Sequence, residues 1–148
     1  MKVSSRVDYA LSCLIHLAEN YNTLHPVSVK YIAEKEELED DYVEQLLIIL
    51  KRAGIVLSKR GVTGGYFLAD APDKVTTLEV IRAFDGEVLE LVCFRKKGRR
   101  KTCIHLKNCE VRTFWTGLSD CISKYLSNQT LACLLELRKK EAGGKNDK

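Results

Sequence analysis

The chain lacks any run of the roughly 18 to 20 continuous apolar residues that a membrane span needs. Its opening stretch, MKVSSRVDYALSCLIHLAEN, carries charge too early and too late for a signal peptide, so the protein is expected in the cytoplasm. Only 2 of the 148 residues are proline, and no second domain is obvious. One compact domain, alone or with an accessory arm, is therefore the default. No C-x-x-C pair occurs, which argues against a zinc ribbon and a thioredoxin-type dithiol. No Cys-His-Asp arrangement is readable, leaving an enzyme with a cysteine nucleophile, or an electron carrier, as a minor rival. Strong charge is missing too: a net charge of +4 permits nucleic-acid binding without demanding it.

Cysteine, by contrast, is plentiful. Six of them in a reducing compartment make an improbable disulfide framework, so clustered ones point to metal or redox chemistry. Cys93, Cys103 and Cys109 are separated by gaps of nine and five residues, and Arg95, Lys96, Lys97, Arg99, Arg100 and Lys101 stand between the first two. Three thiolates near the start of a helix suit an iron-sulfur cluster, whose irons prefer thiolate and whose incomplete sites accept N or O ligands. The basic run could offset the negative charge of such a cluster, touch DNA phosphates, or be a solvated loop. Cys13, Cys121 and Cys133 fall among apolar positions and read as core packing, Cys121 with a place near a dimer seam as its alternative.

Periodicity supplies the fold. Val3, Val7, Ala10, Leu11, Leu14, Ile15 and Ala18 mark one face of a first helix. Ser28 is a plausible cap for a second, with Val29, Ile32 and Ala33 inward. A third begins near Asp40 or Asp41, either of which can cap it, and ends at Gly54. Two short β-rich runs around Gly61, Gly64 and Gly65 read as a hairpin. Thr76 and Glu79 stand in capping-box register before a fourth helix stopped by Gly86. Val111, Phe114, Trp115, Leu118, Ile122, Tyr125 and Leu126 form the stripe of a long helix, followed by a shorter one. The expected fold is mainly α with a small β-hairpin. Its divisions are a winged helix-turn-helix at 1–86, a cysteine loop at 87–110, the long and C-terminal helices at 111–140, and a disordered tail at 141–148.

In that order of elements the third helix would enter the major groove, placing Tyr42 and Glu44 where side chains meet base edges or phosphates. The bland alternatives are that Glu44 serves the helix dipole and Tyr42 packs. Lys59 and Arg60 beside Gly61 suit phosphate or minor-groove contact, or are ordinary hairpin charges. Lys2 and Arg6 are further phosphate candidates.

MKVSSRVDYAL, PVSVKYIAEKEELEDDYVEQLLIILKRAGIV, SKRGVTGGYFLA and TTLEVIRAFDG closely resemble the Rrf2 family of bacterial winged-helix regulators, across roughly residues 1 to 128. That family includes the iron-sulfur cluster assembly regulator (IscR) and the nitric-oxide-sensitive repressor (NsrR). The resemblance implies a non-enzymatic, homodimeric DNA-binding regulator, most often a repressor, paired through the long helix on a double-stranded operator. YVEQL resembles the base-reading segment, and the wing resembles RGPGGGY, with Val62 and Thr63 in place of a Pro and a Gly. The cysteine loop resembles one that holds a 2Fe-2S or 4Fe-4S cluster sensing nitric oxide, redox state or cluster supply. Arg112 stands where one group of relatives has a ligating His, and another takes an Asp from the partner's first helix, which here is Asp8. The implied ligands are Cys93, Cys103, Cys109 and Asp8 of the partner, with His105 and Glu110 in reserve. A cluster-free thiol or zinc switch on the same cysteines is the alternative.

Overall fold

Ser4 stands at the cap of the first helix but lends its hydroxyl elsewhere. Its backbone N–H and hydroxyl both donate to the carboxylate of Asp85, at 2.8 and 2.6 Å, so the chain start is fastened to a residue 81 positions away. The protein is described here from a computed structural model that covers residues 3–23, 25–89 and 109–143. Helix α1 (Ser5–Glu19) buries Val7, Ala10, Cys13, Leu14, Leu17 and Ala18. Val3, expected on that face, is exposed because it precedes the first turn.

Helix α2 (Val29–Glu36) is capped by Ser28, whose side chain accepts the Tyr31 N–H at 3.1 Å. Glu37 then takes a left-handed φ of 54°, and the Leu38 N–H closes back onto the Ala33 carbonyl at 2.9 Å. This tight exit leaves Glu39 as the last extended residue, so Glu39, not Asp40 or Asp41, is the cap of α3 (Asp40–Arg52), and it makes no side-chain cap bond. The two aspartates fall instead in the first turn, where a negative charge favours the helix dipole. Val43, Leu46, Leu47 and Leu50 face inward and join the α1 and α2 side chains in one core with Val56, Leu68, Val80 and Leu131.

Strands β1 (Val56–Lys59) and β2 (Gly65–Leu68) pair antiparallel with Val56 opposite Leu68 and Lys59 opposite Gly65. Val27, just ahead of α2, adds two hydrogen bonds to Tyr66, at 3.0 and 2.9 Å. The wing is thereby anchored to the helix-turn-helix. A Cβ at Gly65 would strike the Val27 carbonyl. Gly65→Ala should therefore lower stability by about 1 to 3 kcal/mol, the usual cost of overpacking, and weaken DNA binding along with it. Thermal unfolding and a duplex titration check both; an unchanged melting temperature would count against the close approach.

Helix α4 (Thr77–Asp85) carries the expected capping box: Thr76 Oγ1 accepts the Glu79 N–H, and Glu79 Oε2 accepts the Thr76 N–H at 2.8 Å. Gly86, with φ of 79°, stops it. Helices α5 (Glu110–Asn128) and α6 (Leu131–Gly143) follow. Their corner is bonded to the start of α4: Thr77 N–H donates to the Gln129 carbonyl at 2.8 Å, and Leu131 N–H to the Val75 carbonyl at 3.0 Å. Thr77 Oγ1 also reaches the Leu126 carbonyl at 2.9 Å. Helix α6 extends three residues into the expected tail; residues 144–148 lie outside the described residues, as do 90–108 of the expected loop.

Candidate functional site

With its apolar face in the core, α3 presents Asp41, Glu44, Gln45, Ile48, Lys51 and Arg52 on its exposed side. The spacing i, i+3, i+4, i+7 is one continuous helix face. Glu44 stands on this strip, and its carboxylate adds to the burial that holds the Tyr66 phenol above its ordinary range. Tyr42 does not share the strip. It is half-buried, its ring meeting Tyr9 of α1 edge-on at 5.9 Å between centroids and 83°. The two first-turn candidates thus divide, one outward and one braced against α1. Gln45 was not singled out from sequence; the signal that finds it is its place between Glu44 and Ile48 on this face.

In the wing, Lys59, Arg60 and Gly61 are all exposed. The Gly64 N–H donates to the Gly61 carbonyl at 3.0 Å, closing a turn with Val62 and Thr63 at its centre. Lys51 Nζ on α3 donates to Ser58 Oγ on β1 at 2.5 Å, linking strip and wing. Arg6 lies with its guanidinium 5.6 Å from the Phe84 ring centroid, toward α4, and Lys2 lies outside the described residues.

The expected metal ligands are only partly described. Cys93, Cys103, the reserve ligand His105 and the basic run at Arg95, Lys96, Lys97, Arg99, Arg100 and Lys101 lie outside the described residues. Cys109 is the N-cap of α5: its Sγ accepts the Arg112 N–H at 3.4 Å and is partly exposed. Glu110 is the first, exposed residue of that helix, and Asp8 is an exposed carboxylate in the first turn of α1. Among the described residues no group of three or more His, Cys, Asp or Glu side chains gathers to hold a metal. The two donors that are described, a partly exposed thiol and an exposed carboxylate, are of types that suit an iron-sulfur group or zinc alike.

The remaining cysteines part company. Cys13 is in the core, where burial, with the Glu36 carboxylate adding to it, pushes its thiol up to about 12. Cys121 is exposed on α5 and Cys133 is half-buried, so core packing holds for neither within this chain. The α5 position of Cys121 faces away from the subunit's own core, while Cys133 sits in the first turn of α6. A hydrogen bond from the Thr130 hydroxyl holds the Cys133 thiol below its usual range.

His16 is a further group that the apolar spacing of α1 concealed. It is 2% exposed, with Nε2 2.6 Å from Glu36 Oε1 and Nδ1 3.5 Å from Glu19 Oε2, so it joins α1 to α2. Asp85 is the other. The Ser4 hydroxyl, then the Ser4 N–H, holds its carboxyl below the ordinary 3.8. Its folded value being depressed, the clasp stabilises the chain above the unfolded value and is lost as pH falls through the folded one. Asp85→Ala should accordingly lose less stability than the parent below about pH 4, as thermal melts across an acid series would show.

An exposed polar helix face beside an anchored wing is an arrangement suited to reading DNA. Residues 3–137 match the Rrf2 family, described as iron-dependent transcriptional regulators. The chain belongs to the Rrf2 family. It is thus a winged-helix, DNA-binding transcriptional regulator and not an enzyme. This Rrf2 regulator is 32% identical to the regulator CymR of Bacillus subtilis over 131 residues, spanning 88% of this chain and 87% of that one. It is 34% identical over 135 residues to IscR of Erwinia tasmaniensis, spanning 91% and 79%. The solved structure of CymR, described as the global cysteine regulator of B. subtilis, superposes with a TM-score of 0.72 at 30% identity, covering 93% of this chain and 98% of that one.

Proposed function

We propose that this regulator is a homodimeric repressor that reads a palindromic operator and senses its signal through an iron-sulfur cluster. Glu44 and its neighbours on α3 face the base edges of the major groove, while Lys59, Arg60 and Gly61 follow the backbone or minor groove. Tyr42, braced on Tyr9, fixes the first turn of α3, and Arg6 and Lys2 remain candidates for phosphate contact. The second copy pairs along α5, whose Val111, Phe114, Leu118, Cys121 and Tyr125 are all exposed at heptad-like spacing.

Cys93, Cys103 and Cys109, with Asp8 of the partner, would hold the cluster, which when bound supplies reactivity toward nitric oxide or a change of redox state. One observation supports this reading: the sulfur of Cys109, a proposed iron donor, caps α5, the helix proposed to pair. The resemblance to CymR favours a second reading, a cluster-free regulator working through its thiols or zinc. Protein purified without oxygen decides between them. Iron and acid-labile sulfide near stoichiometry, with a brown chromophore, support the cluster; colourless, iron-free protein that refuses reconstitution leaves the thiol or zinc switch.

A further inference from the structure

On the exposed face of α3 the charged and polar side chains Asp41, Glu44, Gln45, Lys51 and Arg52 surround one large apolar one, Ile48, which is 37% exposed. Ile48 lies one turn beyond Glu44 and one turn before Arg52, on the line of residues i, i+3, i+4 and i+7 that a groove-reading helix turns toward bases. It is therefore not a fringe position, and burying it against water or phosphate would gain nothing. The core does not claim it either, since Leu46, Leu47 and Leu50 on the opposite side are buried. In the major groove one feature of the base edges is apolar, the C5-methyl of thymine.

We propose that Ile48 is a specificity-determining residue that packs on a thymine methyl group, so that each half-site carries a thymine one turn of α3 away from the base pair met by Glu44. This rests on the assignment of the α3 strip to the major groove. Glu44 and Gln45 select by hydrogen bonding, and Ile48 by shape and desolvation. A contact of this kind covers about one methyl group, which corresponds to roughly a fourfold difference in affinity. It reads T·A and A·T as different, because the methyl lies to one side of the pair.

The test begins with selection of a preferred duplex from a random-sequence pool by the intact protein. Each thymidine of that duplex is then replaced singly by deoxyuridine, which removes the methyl and keeps every hydrogen-bonding group. The parent should lose about fourfold at one symmetric position per half-site. Ile48→Ala should bind the thymidine and deoxyuridine duplexes equally at that position, while Ile48→Val keeps part of the preference. Because Ile48 is exposed and Ala favours helix, the variant should melt like the parent. No methyl dependence anywhere in a selected duplex, or one that survives Ile48→Ala, overturns the proposal. Failure to select any duplex would instead sink the assignment of the strip to the groove.

Discussion

Leu118→Glu should give a folded but monomeric protein that binds a two-half-site operator about a hundredfold or more weakly than the parent. Leu118 occupies the middle of the exposed α5 line, between Phe114, 64% exposed, and Tyr125, 65% exposed. Among the described residues no side chain of α5 is fully buried. Leu118 itself is 38% exposed, so a carboxylate there keeps access to water in the isolated subunit. In a paired seam the same carboxylate would be stripped of water beside its own copy, with no cation at this spacing to offset it. Loss of pairing removes the second reading head, and binding to two linked half-sites falls to binding to one. Sedimentation velocity and anisotropy on a palindromic duplex measure the two halves of this expectation. A dimeric Leu118→Glu protein would move the pairing surface elsewhere.

The second large effect concerns Cys109 and separates its observed role as a helix cap from its proposed role as an iron ligand. If the proposed cluster is bound, Cys109→Ser should abolish iron binding while leaving α5 intact, because Ser is a preferred N-cap and its hydroxyl can accept the Arg112 N–H in place of sulfur. Cys109→Ala should lose the iron and also about 1 kcal/mol of helix stability. Iron analysis and circular dichroism of the two variants, side by side, give four numbers. Iron retained by Cys109→Ser would remove Cys109 from the ligand set. Equal helicity in Ser and Ala would remove the cap.

How much of this was legible in the sequence depended on the range of each interaction. The Thr76–Glu79 box and the Ser28 cap involve partners three residues apart, and the sequence displays both partners at once. The inward face of α3 was equally open to reading, since Val43, Leu46, Leu47 and Leu50 repeat with the helical period. The Ser4–Asp85 clasp was not, because nothing in AFDG says that its carboxylate meets a residue 81 positions earlier. His16 was hidden for a related reason: a polar residue inside an apolar period is explained only by what faces it, and Glu36 is on another helix. Tyr42 shows the same limit, since spacing placed it in the first turn of α3 but could not reveal that Tyr9 holds its ring. The cap of α3 failed more simply. Asp40 and Asp41 are the better cap residues by type, yet the left-handed Glu37 shortens the turn so that Glu39 arrives first.

The bonds from Thr77 to Gln129 and Leu126, and from Leu131 to Val75, have a mechanical meaning. They fasten the far end of α5 and the start of α6 to the start of α4. A helix of 19 residues spans about 28 Å. Used as a rigid crank of that length, a swivel of about 5° at one end sweeps the other by about 2.5 Å, close to half the rise of one helical turn. If Cys109 holds the signal-sensing group proposed above, a small rotation there would be carried along α5 to α4 as a displacement of about that size.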